Sequence, residues 1–103
     1  ISGPTRKVLN DFHMVVAKAF RTAVQAVSQN NEEAALLVIS MKEEIARLVE
    51  SAATHQAERL VAEEPNRIAA YTIEVDIIEK QKRIYYFAKR MAKTVVSSET
   101  DDD

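Results

Sequence analysis

The chain has 103 residues, a formal net charge of −2, one Gly and no Cys. That length suits a single domain with a modest core, and the lack of Cys excludes a disulfide framework and a zinc–thiolate centre. Two Pro and 29% charged residues on an alanine-rich background favour long helices joined by short turns.

No apolar run reaches the roughly 18–20 residues that cross a bilayer, and no signal peptide is visible. The chain opens on Ile rather than Met and reads as a segment of a longer protein, any membrane span lying outside it. Residues 1–4, "ISGP", read as a disordered lead-in. A single helical domain then spans 5–96, and the acidic "SSETDDD" at 97–103 reads as a disordered tail.

The first helix is expected from Thr5 to about Gln29. Leu9, Phe12, Val16, Ala19, Ala23 and Ala26 recur in steps of three and four, with Val8, Val15, Phe20 and Val27 widening the stripe. "NNEE" ends it and starts the next helix, with Asn30 as the cap and Glu33 completing a box-like pattern. A second helix then runs unbroken from about Asn31 to Ala62, turning Ala34, Leu37, Met41, Ile45, Leu48 and Ala52 inward. Its seam continues into His55 and Arg59, so it becomes polar near its end. Pro65 favours a tight turn at 63–65, a kinked continuous helix being the alternative.

The third helix is expected from Pro65 to about Val96, with Ala70, Ile73, Ile77, Ile84, Ala88, Met91 and Val95 inward and an interruption at Lys80/Gln81. Three helices of this length joined by short turns pack as antiparallel neighbours, giving an all-α, up-down-up bundle. Three amphipathic helices also leave room for a second copy of the chain.

Residues 80–93 carry six cations and no acid, while the rest holds eight cations against sixteen acids. At helical pitch Lys82, Arg83, Lys89, Arg90 and Lys93 form one arc with Tyr86 near its centre. Phe87 is placed in the core and Tyr85 at its boundary. Such an arc complements the helix dipole as a solvated face, or meets an anionic surface. A few cations on an otherwise acidic domain make a weak nucleic-acid footprint, so no nucleic-acid partner is expected.

The remaining chemistry is sparse. His13 and His55 lie on different helices, and His55 reads as a hydrogen-bonded bundle residue. Glu43, Glu44, Glu74, Asp76 and Glu79 mix with Lys42, Arg47 and Lys80 at the spacing of surface ion pairs. The only Gly, Gly3, provides no phosphate loop, and no catalytic set is visible.

"EPNR", the acidic "YTIEVDIIEK" and "KRIYYFAKRMAK" of the third helix resemble the PhoU family of phosphate-regulatory bundles. The likeness is to the PhoU-like domain at the C-terminal end of bacterial sodium/phosphate cotransporter family proteins. It covers roughly residues 5–96 and is specific in helix three. It implies a regulatory domain at the cytoplasmic face of the bacterial inner membrane, with the transporter's membrane part or the anionic membrane surface as partner.

PhoU proteins proper bind metal clusters through an acid-x-x-x-Asp motif. Alignment on Arg83, Ile84, Ala88, Met91 and Ala92 puts Lys82 and Tyr86 where the two acids stand in the family. Around "SMKEEIAR" the motif is also broken: Glu43 is followed four residues later by Arg47, and the frame ending at Glu44 begins with Ser40. An ammonium repels a metal ion and a phenol is a poor neutral-pH ligand, so neither a metal cluster nor another cofactor is expected. The rival readings are a metal- or anion-binding bundle built on His55, Glu44 and neighbouring acids, and a purely structural oligomerisation module.

Overall fold

The computed structural model describes residues 3–61 and 67–96, and among these every regular element is helical. The elements are α1 (Gly3–Gln29), α2 (Glu32–Ser40), α3 (Lys42–Val61) and α4 (Arg67–Lys93). Helix α1 thus already includes Gly3 and Pro4, earlier than expected; Pro is tolerated in a first turn, where its missing N–H has no intrahelical acceptor to lose. The turn expected at 63–65 and the tail at 97–103 lie outside the described residues.

Two asparagines make the first turn. Asn30 adopts a left-handed conformation (φ 50°), which Asn tolerates better than most residues. Asn31 N–H then reaches back to Ala26 O at 2.9 Å, and Asn30 N–H to Val27 O at 3.4 Å, the two bonds of a Schellman ending. The next helix is capped by Asn31, not Asn30: its side-chain oxygen accepts from Ala34 N–H at 3.1 Å. Asn30 is committed to ending α1 and cannot also adopt the extended backbone of an N-cap.

The second helix is not continuous. It breaks at Met41, whose N–H turns to Val38 O at 3.2 Å. Two side chains act on the ladder there. Ser40 Oγ donates to Leu37 O at 2.7 Å, and Tyr85 of α4 donates its hydroxyl to Val38 O at 2.8 Å. Hydroxyls inserted among helix carbonyls bend the helix at that point. Periodicity misses the break because Met41 and Ile45 stay in phase with the core on either side of it.

The arm formed by α2 and α3 runs against both neighbours. Thr5 meets His55 while Val15 lies near Met41, and Gln56 meets Glu74 while Tyr85 reaches Val38. Helices α1 and α4 therefore run in the same sense. Their contact is close because Ala19, Ala23 and Ala26 of α1 are fully buried, as are Ala88 and Ala92 of α4. Phe12, Val16, Ile45, Ile78 and Tyr85 fill the wider middle.

The buried face of α4 is rotated from the expected one. Tyr85, read as a boundary residue, is 5% exposed, and Phe87, read as core, is 54% exposed. Ile73, Ile84 and Leu37, expected inward, are exposed as well. Helix α4 packs into the angle between α1 and the α2–α3 arm, so its buried centre follows Glu74, Ile78, Tyr85, Ala88 and Ala92. The larger aliphatic residues are left on the edge beside α1.

Burial pushes the Tyr85 hydroxyl up from 10.0 to about 12. The neutral phenol is favoured in the folded state, so its contribution is complete below pH 10. It is lost as pH rises from 10 through about 12. Tyr85→Phe is expected to lower stability by about 0.5–1.5 kcal/mol in urea unfolding at pH 7. It should also remove the late-titrating phenol seen by ultraviolet absorbance; no change in either measurement would show that the hydroxyl does not support the break.

Candidate functional site

The structure divides the cationic arc of α4. Lys82, Arg83 and Arg90 are exposed and Tyr86 is half-exposed, as the helical phase predicts. Lys89 is not part of that surface: it is buried at 9% exposure, turned toward α3 on the same side as Tyr85, and Lys93 is half-buried. The reason is the rotation of α4, which carries the Lys89 side of the helix inward. Arg90 donates to the Tyr86 hydroxyl at 3.0 Å and its guanidinium carbon stands 5.7 Å from the ring centroid. This cation–π contact fixes Tyr86, whose ring meets Phe87 edge-on at 5.6 Å.

Below this surface, α3 and α4 enclose a groove of about 420 Å³ with Ile45, Val49 and Tyr85 on its floor. Lys42, Lys82 and Lys89 line it beside Tyr86, and no carboxylate is among its lining residues. Lys82 also reaches Glu79 at 3.3 Å, an exposed pair that is screened and weak. Lys82 and Tyr86, which the resemblance sets at the positions of two motif acids, thus face one groove together, with Lys42 and Lys89 beside them.

A second groove of about 280 Å³ separates α1 from α4 on the opposite side. Val16, Ala17, Phe20 and Ile84 line it with His13 and Gln81. The seam interruption expected at Lys80/Gln81 falls here. Lys80 is exposed and paired with Asp76 at 2.9 Å, whereas Gln81 is half-buried with Nε2 3.0 Å from His13 Nδ1. Its Oε1 is buried with no hydrogen-bond partner among the described residues.

The polar end of the bundle holds the residues that the sequence hinted at least clearly. Thr5, buried at 1% exposure, places Oγ1 2.7 Å from His55 Nε2, which gives His55 its hydrogen-bonded place in the bundle. From the next residue of α3, Gln56 Nε2 donates to Glu74 Oε1 at 3.4 Å, and Glu74 is fully buried. Its spacing places Glu74 with Asp76 and Glu79 among surface ion pairs, but the bundle encloses it. Its four-residue spacing from Ile78 and Ala70 was the available signal.

Glu44 is not part of this end. It lines a separate hollow with Met14, Lys18 and Leu37, about 16 Å along α3 from His55. The structure therefore does not bring His55 and Glu44 into one site. Among the described residues, no three His, Asp or Glu side chains converge as metal ligands.

No family model, curated protein or solved structure matches the chain.

Removing one member of a buried polar pair strands the other. Glu74→Ala is expected to lower stability by about 1–3 kcal/mol, with Glu74→Gln costing less because it keeps an acceptor for Gln56. Urea midpoints of the two variants check the order; equal midpoints with the parent would place Glu74 outside the stabilising core.

Proposed function

We propose that this chain is a non-enzymatic regulatory domain of a sodium/phosphate-type membrane transporter. It acts by touching the transporter's membrane part or the anionic lipid surface around it. The reading draws on the helix-three segments that resemble PhoU-like domains, "EPNR" and "KRIYYFAKRMAK". The helical bundle, with its middle arm running against α1 and α4, suits the up-down-up arrangement of that family.

The observation that carries the proposal is the exposed face of α4 around Lys82, Arg83, Tyr86 and Arg90. Residues 80–96 contain no acid, and Lys82 of this face meets a carboxylate only at the exposed, screened Glu79, 3.3 Å away, among the described residues. Tyr86, held under Arg90, adds an amphipathic ring of the kind that sits at a lipid–water boundary. Each cation brought close to an anionic membrane contributes about 1 kcal/mol. The neighbouring groove, walled by lysines and Tyr86, favours an anion and disfavours a metal ion.

The test is the triple variant Lys82→Glu, Arg83→Glu, Arg90→Glu, all at exposed positions. Affinity for vesicles containing phosphatidylserine, or for the transporter's membrane part, should fall by roughly two orders of magnitude, with helix content unchanged by circular dichroism. Binding that survives the triple reversal would make the arc a solvated face and remove the support for this function.

A further inference from the structure

We infer that the groove between α1 and α4 is a docking site for an amphipathic helix of another protein whose apolar stripe is flanked by Asp and Glu. The inference rests on reading the chain as an interaction domain, but it concerns the groove on the α1 side of α4, which shares only Arg83 with the Lys82–Tyr86 surface. At about 3.6 residues per turn, Ala17, Phe20, Val24 and Val27 form a stripe along α1, and Ile84 and Phe87 form its counterpart on α4. Phe20, Val24, Val27, Ile84 and Phe87 are each 41–54% exposed. A continuous apolar strip of this kind is a recognition surface, and the concave line between two parallel helices fits a third.

Charge chooses the occupant. Arg21 borders the stripe on α1 and Arg83 borders it on α4, both exposed and without an ion pair among the described residues. No acid occurs in α1 beyond Asp11, nor in residues 80–96. A second copy laid face to face would set these arginines against their own kind. The chain's own acidic stretch, "SSETDDD", has no apolar side chain to fill the groove. A flat lipid surface cannot reach the floor between the helices, where Val16 and Ala17 lie beside Gln81. A helix with apolar residues at spacings of three and four and acids beside them satisfies both the floor and the rim.

The probe is a displayed library of helical peptides of roughly five turns with randomised faces, selected on the intact chain. Selected peptides should carry the apolar stripe and be enriched in Asp and Glu beside it, and their binding should weaken as salt rises. Phe87→Asp and Arg21→Glu, both at exposed positions, should each reduce binding of a selected peptide by about tenfold or more. Neither should alter the circular dichroism spectrum, and Arg21→Glu should leave vesicle binding intact. That last result separates this site from the membrane-facing arc, for which the double variant Lys82→Glu, Arg90→Glu, leaving Arg83 in place, should weaken vesicle binding and retain peptide binding.

The proposal is overturned if selection yields no saturable binder, if the binders lack acid enrichment, or if Phe87→Asp leaves them unaffected. Sedimentation equilibrium showing dimers that Phe87→Asp dissociates would assign the groove to a second copy instead. Vesicle binding that depends on Phe87 and is not competed by the peptides would assign it to lipid.

Discussion

The close approach of α1 to its neighbours depends on three alanines one turn apart, Ala19, Ala23 and Ala26. With methyl groups at the contact, the helices of that end draw together and bury Ala35, Val38, Ala88 and Ala92 completely. Dispersion at such a contact comes from many backbone and methyl atoms rather than from a few large side chains. The same closeness leaves no room for bulk. Phe20, Ile84 and Phe87 cannot enter the seam and stand along its edge, so the tightness of the core and the apolar groove outside it have one cause.

The helical class was legible throughout. In α1 the three-and-four spacing names the buried residues almost one for one, from Phe12 to Ala26. The phase of α4 was harder to read. Its apolar residues spread over more than half the helix circumference, and size suggested that Ile84 and Phe87 belonged inside. The buried centre follows Tyr85 and the alanines instead, because α4 has two neighbours and lies closest to the one made of alanine. Tyr85 is amphipathic, and only the position of Val38, 47 residues away in sequence, shows that its hydroxyl has an acceptor. The break at Met41 escaped for the same reason, since it is caused from another helix.

The candidate surfaces were legible to a similar degree. The lack of acids between Glu79 and Glu99 was plain, and exposure of Lys82, Arg83 and Arg90 follows from helical phase alone. The burial of Lys89 does not, because it turns on the rotation of α4. Glu74 shows the reverse case: among three acids within five residues of one another along a helix, only the three-dimensional partner, Gln56, distinguishes the buried one from Asp76 and Glu79. Charge runs identify a face, but tertiary contact decides which members of the run belong to it.

The break at Met41 divides the arm into two segments that are held in place by different means. On one side, α2 is a short segment clasped by the alanines of α1 and α4; on the other, α3 is held through His55, Gln56 and the polar pairs around them. Polar pairs exchange readily with water, whereas the methyl-lined end loses all its contacts if it opens. Opening is therefore expected to begin at the α3 end, with the Tyr85–Val38 bond holding the α2 side closed.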